Sequence, residues 1–115
     1  MDNDMKYLVA VLLILVASPA RGDPHITPSA KYDHEFPGEI IVTEMPSEAK
    51  LRKLCEGFGA TFNKSTAIAC AFAHRGKCFI FTIDPIEMAY TSYTWEQVMR
   101  HERAHCNGWP SDHRN

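Results

Sequence analysis

Two nearly uninterrupted apolar segments restrict this chain more than anything else in it. They are Ile68-Ala69-Cys70-Ala71-Phe72 and Phe79-Ile80-Phe81, joined through the turn residues His74-Arg75-Gly76. A strand wetted on one side alternates apolar with polar residues, whereas a strand without alternation is covered on both faces. The fold must therefore supply two covers for one sheet. Three strands are expected here, Ala60 to Phe62, Thr66 to Ala73 and Lys77 to Ile83, with a first turn at Asn63-Lys64-Ser65. Glu39 to Met45, centred on Ile40, Ile41 and Val42, reads as a further strand that Pro46-Ser47 stops.

Helical periodicity supplies the covers. After Ser47, a capping residue, Leu51, Leu54, Cys55 and Phe58 recur at helical spacing, while Glu48, Lys50, Arg52 and Lys53 face water until Gly57 and Gly59 end the helix. A loop from Ile86 to Ser92 leads to a second helix. Thr94 caps it, Gln97 reaches back in a capping box, and Trp95, Val98, Met99 and Cys106 turn towards the sheet. The expected architecture is α+β: one small antiparallel sheet packed with two helices.

The first residues belong to a different kind of segment. Tyr7 to Ala17 is an apolar run preceded by Lys6 and followed by the small residues Ala17, Ser18, Ala20 and Gly22. It is too short to span a bilayer as a helix and reads as a secretory signal, residues 1–22, cleaved after Ala20 or Gly22. Translation from Met5 would give a cleaner leader, without Asp2 and Asp4. Residues 23–38, with Pro24, Pro28 and Pro37, form an extended arm, in which Asp33-His34-Glu35 reads as a solvated loop or, less simply, a second metal site. Residues 39–115 form a single small domain. The expected product is exported, periplasmic or secreted, and leaves the membrane once the leader is removed.

Export gives the four cysteines, Cys55, Cys70, Cys78 and Cys106, an oxidising setting. Two disulfides suit so small a core; three pairings are open, and the preferred one joins Cys70–Cys78 across a hairpin and Cys55–Cys106 between the helices. No CxxC spacing supports zinc thiolates instead. Fourteen acidic residues against twelve basic ones, without a basic cluster, argue against nucleic acid as a partner. A monomer is expected.

The chemistry is concentrated in His101-Glu102-Arg103-Ala104-His105-Cys106-Asn107-Gly108-Trp109-Pro110-Ser111-Asp112-His113. Residues four apart share a helix face, so His101 and His105 can hold one metal ion. Glu102 lies about 100° round the helix, beside the metal rather than between the imidazoles, where it suits a general base. Gly108 permits a left-handed helix stop and Pro110 prevents a restart, so the chain can return His113 or Asp112 to a third position. His113 is preferred, imidazole being the commoner companion of two imidazoles. Three protein ligands and one open position describe a catalytic zinc site.

These residues resemble the zincin metallopeptidases, specifically the metzincin pattern HExxHxxGxxH, over about a dozen residues in the last fifth of the chain. The resemblance implies His101 and His105 as zinc ligands, Glu102 as catalytic base and Gly108 as the turn glycine. Ser111 stands where metzincins place the third ligand, and His113 comes two residues later. The sequence ends at Asn115, with no room for a methionine turn. The stretch also resembles, with a two-residue insertion, the HxxxHxxGxDH pattern of bacterial metal-dependent endoribonucleases; Glu102 and the leader favour the peptidase side. The implied function is an exported zinc-dependent hydrolase acting on a peptide or protein substrate. Tyr90, Tyr93, His74 and Arg100 are its candidate oxyanion donors. The alternative is a non-catalytic extracytoplasmic module that binds metal or a partner.

Overall fold

The computed structural model describes residues 27–62 and 65–114. The leader, its cleavage point and the alternative start at Met5 lie outside the described residues, as do Asn63 and Lys64 of the expected first turn. The chain forms β1 (Glu39–Glu44), α1 (Glu48–Gly57), β2 (Ala69–His74), β3 (Lys77–Thr82), α2 (Pro85–Met88) and α3 (Trp95–Cys106). It is an α+β fold with one three-stranded sheet in the order β1-β3-β2.

The hairpin β2–β3 closes through Arg75 and Gly76, both at positive φ (50° and 77°), as a two-residue type I′ turn requires. That turn sets the register, with His74 opposite Lys77 and Cys70 opposite Phe81. Paired residues share a face, and successive residues alternate. Cys70, Phe72, Phe79 and Phe81 therefore project to one side, and Ala69, Ala71, Cys78, Ile80 and Thr82 to the other. The unalternated apolar runs are explained by this double burial.

Each side receives one helix and one disulfide. On the first, Phe58 at the end of α1 packs against Phe72 and Phe81, and Cys55 bonds to Cys70. On the second, α3 buries Cys106 with Cys78 and Ile80 in a cluster that Met99 and Phe36 complete, and Cys106 bonds to Cys78. The expected pairs Cys70–Cys78 and Cys55–Cys106 are thus corrected. Flanking a hairpin is not enough, because Cys70 and Cys78 point to opposite faces. No free cysteine remains, which excludes thiolate ligation.

Four further expectations change. The sheet is mixed rather than wholly antiparallel, since β1 runs parallel to β3, with Glu39 against Lys77 and Glu44 against Thr82. Gly38 makes this entry possible: a Cβ there would lie 1.8 Å from the Gly76 carbonyl oxygen. Ala60 to Phe62 is not a strand but an irregular segment. Within the expected Ile86–Ser92 loop, one helical turn forms, with Pro85 at its start and Asp84 Oδ1 accepting from the Glu87 amide at 2.9 Å. The arm is not simply extended: it turns at Ser29–Asp33 and docks on α3, where Asp33 meets Arg100 (2.9 Å) and the Asn107 amide donates to the carbonyls of Tyr32 and His34. Those partners account for Asp33, and the alternative reading of Asp33-His34-Glu35 as a second metal site gathers no ligand cluster among the described residues.

Disulfides on both faces point to an oxidising environment. Among the described residues no helix is long and apolar enough to cross a membrane.

Candidate metal centre

The start of α3 follows its sequence signals closely. The Thr94 hydroxyl accepts from the Gln97 amide (3.1 Å), and the Gln97 side chain accepts from the Thr94 amide (2.9 Å). Beyond this capping box, Val98, His101, Glu102 and His105 fall at i, i+3, i+4 and i+7, one stripe of the helix. All four line a single cavity.

The helix ends in a Schellman motif. The Trp109 amide donates to the Ala104 carbonyl and the Gly108 amide to the His105 carbonyl, with Gly108 at φ 102°. Pro110 then opens a tight turn that the His113 amide closes by donating to the Pro110 carbonyl (2.9 Å). His113 itself adopts φ 62°, a left-handed conformation uncommon outside glycine. Through these two turns its ring returns to the helix.

Three imidazoles meet as a result. Nε2 of His101 lies 3.2 Å from Nε2 of His105 and 3.1 Å from Nε2 of His113, and the potential ligand nitrogens of all three lie within 4.8 Å of one another. Two nitrogens held tetrahedrally by one zinc stand about 3.3–3.4 Å apart, from zinc–nitrogen bonds of about 2.0–2.1 Å. The two spacings from His101 match such a donor set. Because a carbonyl can only accept, His105 Nδ1 carries the hydrogen that it donates to the Trp109 carbonyl at 2.8 Å. Its Nε2 lone pair is thereby turned to the cluster, the usual way a supporting hydrogen bond fixes a ligand. Burial lowers the His105 pKa, opposed by that hydrogen bond, and favours the neutral ring that a metal needs.

Asp112 is directed elsewhere. Its carboxylate accepts from Arg114 Nε at 2.7 Å and from the Arg114 amide at 3.2 Å. Ser111 reaches the cavity wall. Glu102 also lines the cavity, outside the three-histidine group, and is almost wholly buried. Burial alone pushes its carboxyl up to about 8.

Sequence reasoning missed Trp109. This buried indole stacks on His105 (centroids 4.9 Å, 19° between planes) and meets His101 and His113 edgewise at 4.9 and 4.8 Å. It is a floor beneath all three rings. A large apolar residue directly after the helix-stop glycine was the available signal, since that position packs back on the last turn of a Schellman motif. Of the four oxyanion candidates, Tyr93 alone lines the cavity. Tyr90 and His74 are exposed outside it, and Arg100 is engaged with Asp33.

Comparison of the chain with models of protein families, with curated proteins and with solved structures finds no match.

Proposed function

We propose that this protein is an exported zinc-dependent hydrolase of the peptidase type. The observation that carries the reading is the convergence of three Nε2 atoms beside a buried carboxyl within one cavity. His101, His105 and His113 would hold the ion, leaving one tetrahedral position for water or substrate. Bound there, zinc would supply a Lewis acid and would favour the ionised form of the neighbouring carboxyl.

Glu102 accepts the proton of the attacking water and returns it to the leaving amine. Tyr93, which lines the cavity, would donate to the developing oxyanion. Trp109 holds His105 through its carbonyl and keeps bulk water from beneath the cluster. The resemblance to the zincin motif, carried by the same residues, supports the assignment of His101, Glu102 and His105.

A second reading is a non-catalytic extracytoplasmic metal-binding module, favoured by the small cavity of about 270 Å³. Glu102→Gln separates the two. The hydrolase should keep about one zinc per chain while turnover falls by roughly 10²–10⁴-fold, the cost of losing a general base. Unchanged hydrolysis in the variant would overturn the assigned mechanism, and absence of hydrolysis in wild type would favour the module.

A further inference from the structure

One edge of the sheet is left open at its apolar centre. β1 forms that edge, and among the described residues Ile40 to Thr43 make backbone hydrogen bonds only to β3. Ile40 (38 % exposed) and Val42 (41 %) stand on the side that carries α3, in register with Cys78 and Ile80. With Ile80, Trp95 and Met99 they line an apolar groove that shares no residue with the histidine cavity. Edge strands are ordinarily blunted by charges or proline. β1 carries carboxylates only at its ends, Glu39 and Glu44, and none over Ile40-Ile41-Val42-Thr43.

Register and charge decide which strand fits there. A two-fold axis normal to the sheet sets β1 antiparallel to its own copy, and residues opposite one another then share a face. Odd positions therefore meet odd and even meet even, so Glu39 never faces Glu44. Pairing centred on Val42 sets Glu44 against Ile40 and Glu39 against Met45. Centred on Ile40, it sets Glu39 against Ile41 and Val42 against Gly38. Both place a carboxylate opposite an apolar side chain. Centred on Ile41, the pairing matches throughout: Ile40 meets Val42 twice, Ile41 meets itself, and Glu39 meets the Thr43 hydroxyl. Glu44 then faces Gly38, which has no side chain to collide with it. Lys77 already stands 3.7 Å from Glu39, so that charge enters the contact partly balanced.

We propose that β1 is a self-recognition strand, through which two copies of this chain join antiparallel about Ile41. The product is a continuous sheet in the order β2-β3-β1-β1-β3-β2. Both α3 helices lie on one side of it, and the histidine cavities lie at the outer strands, clear of the contact. Each β1 is used once, so association closes at two copies. The assignment is independent of the metal-site reading, and it runs against the monomer expected from the sequence.

Sedimentation velocity on the oxidised protein, followed over about a 100-fold range of concentration, should show a monomer–dimer equilibrium. Val42→Lys sets a charge against Ile40 of the other copy and should weaken dimerisation by at least about 10-fold. Substitutions at the exposed Thr43 read the register, because each acts twice in the dimer. Thr43→Glu should weaken the dimer and Thr43→Lys should tighten it, each by about 2- to 30-fold, through the charge of Glu39. Both effects should shrink in high salt. Thr43→Glu also carries the test should Val42→Lys fail to fold. A monomer at every concentration, association beyond two copies, or a dimer indifferent to Val42→Lys overturns the proposal. So do Thr43 variants that leave the equilibrium unmoved or shift it in the same direction.

Discussion

The two long helices are attached to the sheet in the same way and filled in opposite ways. Each lies on one face and is tied to it by one disulfide, Cys55–Cys70 for α1 and Cys78–Cys106 for α3. Towards the sheet α1 buries only Leu51 and Cys55, and its polar partner Glu48 stays near the surface with Arg52 and the Ala67 amide. On α3, by contrast, His101 (9 % exposed) and Glu102 (6 %) sit among the buried residues. Interring an ionisable group in a core this small destabilises it. The α1 face follows stability alone, whereas the α3 face keeps groups that stability would discard, which is where chemistry is to be sought.

That contrast can be broken most decisively at the ligands. His101→Ala should abolish stoichiometric zinc binding in a competitive chelator titration. Leu51→Ala, across the sheet, should cost about 2–5 kcal/mol in denaturant melts and leave the folded protein's zinc affinity unchanged. Zinc retained by His101→Ala would end the distinction between the faces.

Next in size are the staples. Sequence separations of 15 and 28 residues give chain-entropy contributions of about 3 and about 3.6 kcal/mol, so the paired Cys→Ala variants should destabilise almost equally. Only the Cys78→Ala/Cys106→Ala pair should also weaken zinc, because Cys106 adjoins His105. Equal zinc loss in both pairs would mean that the sheet transmits the disturbance. Smaller again, Trp109→Leu keeps the carbonyl that orients His105 but removes the aromatic floor. Zinc affinity should fall by about 10–100-fold, the range for losing a group that supports a ligand.

The smallest effect concerns the arm. The hydrogen bond and charge of Arg100 hold the Asp33 carboxyl below its ordinary value. A carboxyl depressed by folding contributes stability above its unfolded pKa, and loses it as pH falls through the folded one. Melts of wild type and Asp33→Asn should therefore differ most near neutrality, by under about 1 kcal/mol for this partly exposed pair, and converge in acid once the Asp33 carboxyl is protonated in the folded protein too. A difference that persists in acid would assign the docking to packing of Tyr32 and Phe36.

Much of this was readable from local pattern. Missing alternation announced a sheet buried on both sides, Thr94 and Gln97 announced the start of α3, and Gly108 its end. The four-residue histidine spacing placed two imidazoles on one stripe. The disulfide pairing was within reach but mistaken: a two-residue turn at Arg75-Gly76 puts Cys70 opposite Phe81, which already excludes Cys78. Asp84-Pro85 carried both a cap and a helix-opening proline, enough for the single turn of α2. Other features had no local signature. The parallel partnership of β1 depends on which edge α1 leaves open, and the left-handed conformation of His113 on its enclosure by the ring cluster. Ala60 to Phe62 had the composition of a strand but joins no ladder among the described residues.

The parallel pairing of β1 with β3 also bears on how the chain reaches its native state. β2 and β3 are joined by a two-residue turn, so their ladder can zip from neighbouring residues with little loop entropy to lose. β1 pairs with β3 across the intervening α1 and β2, a sequence separation that makes it the costliest closure in the sheet. Substitutions in the hairpin should accordingly slow refolding, and substitutions at Ile40 or Val42 should chiefly speed unfolding. The strand farthest from the histidine cluster in sheet order is then the last to be committed, and the cluster's own scaffold among the first.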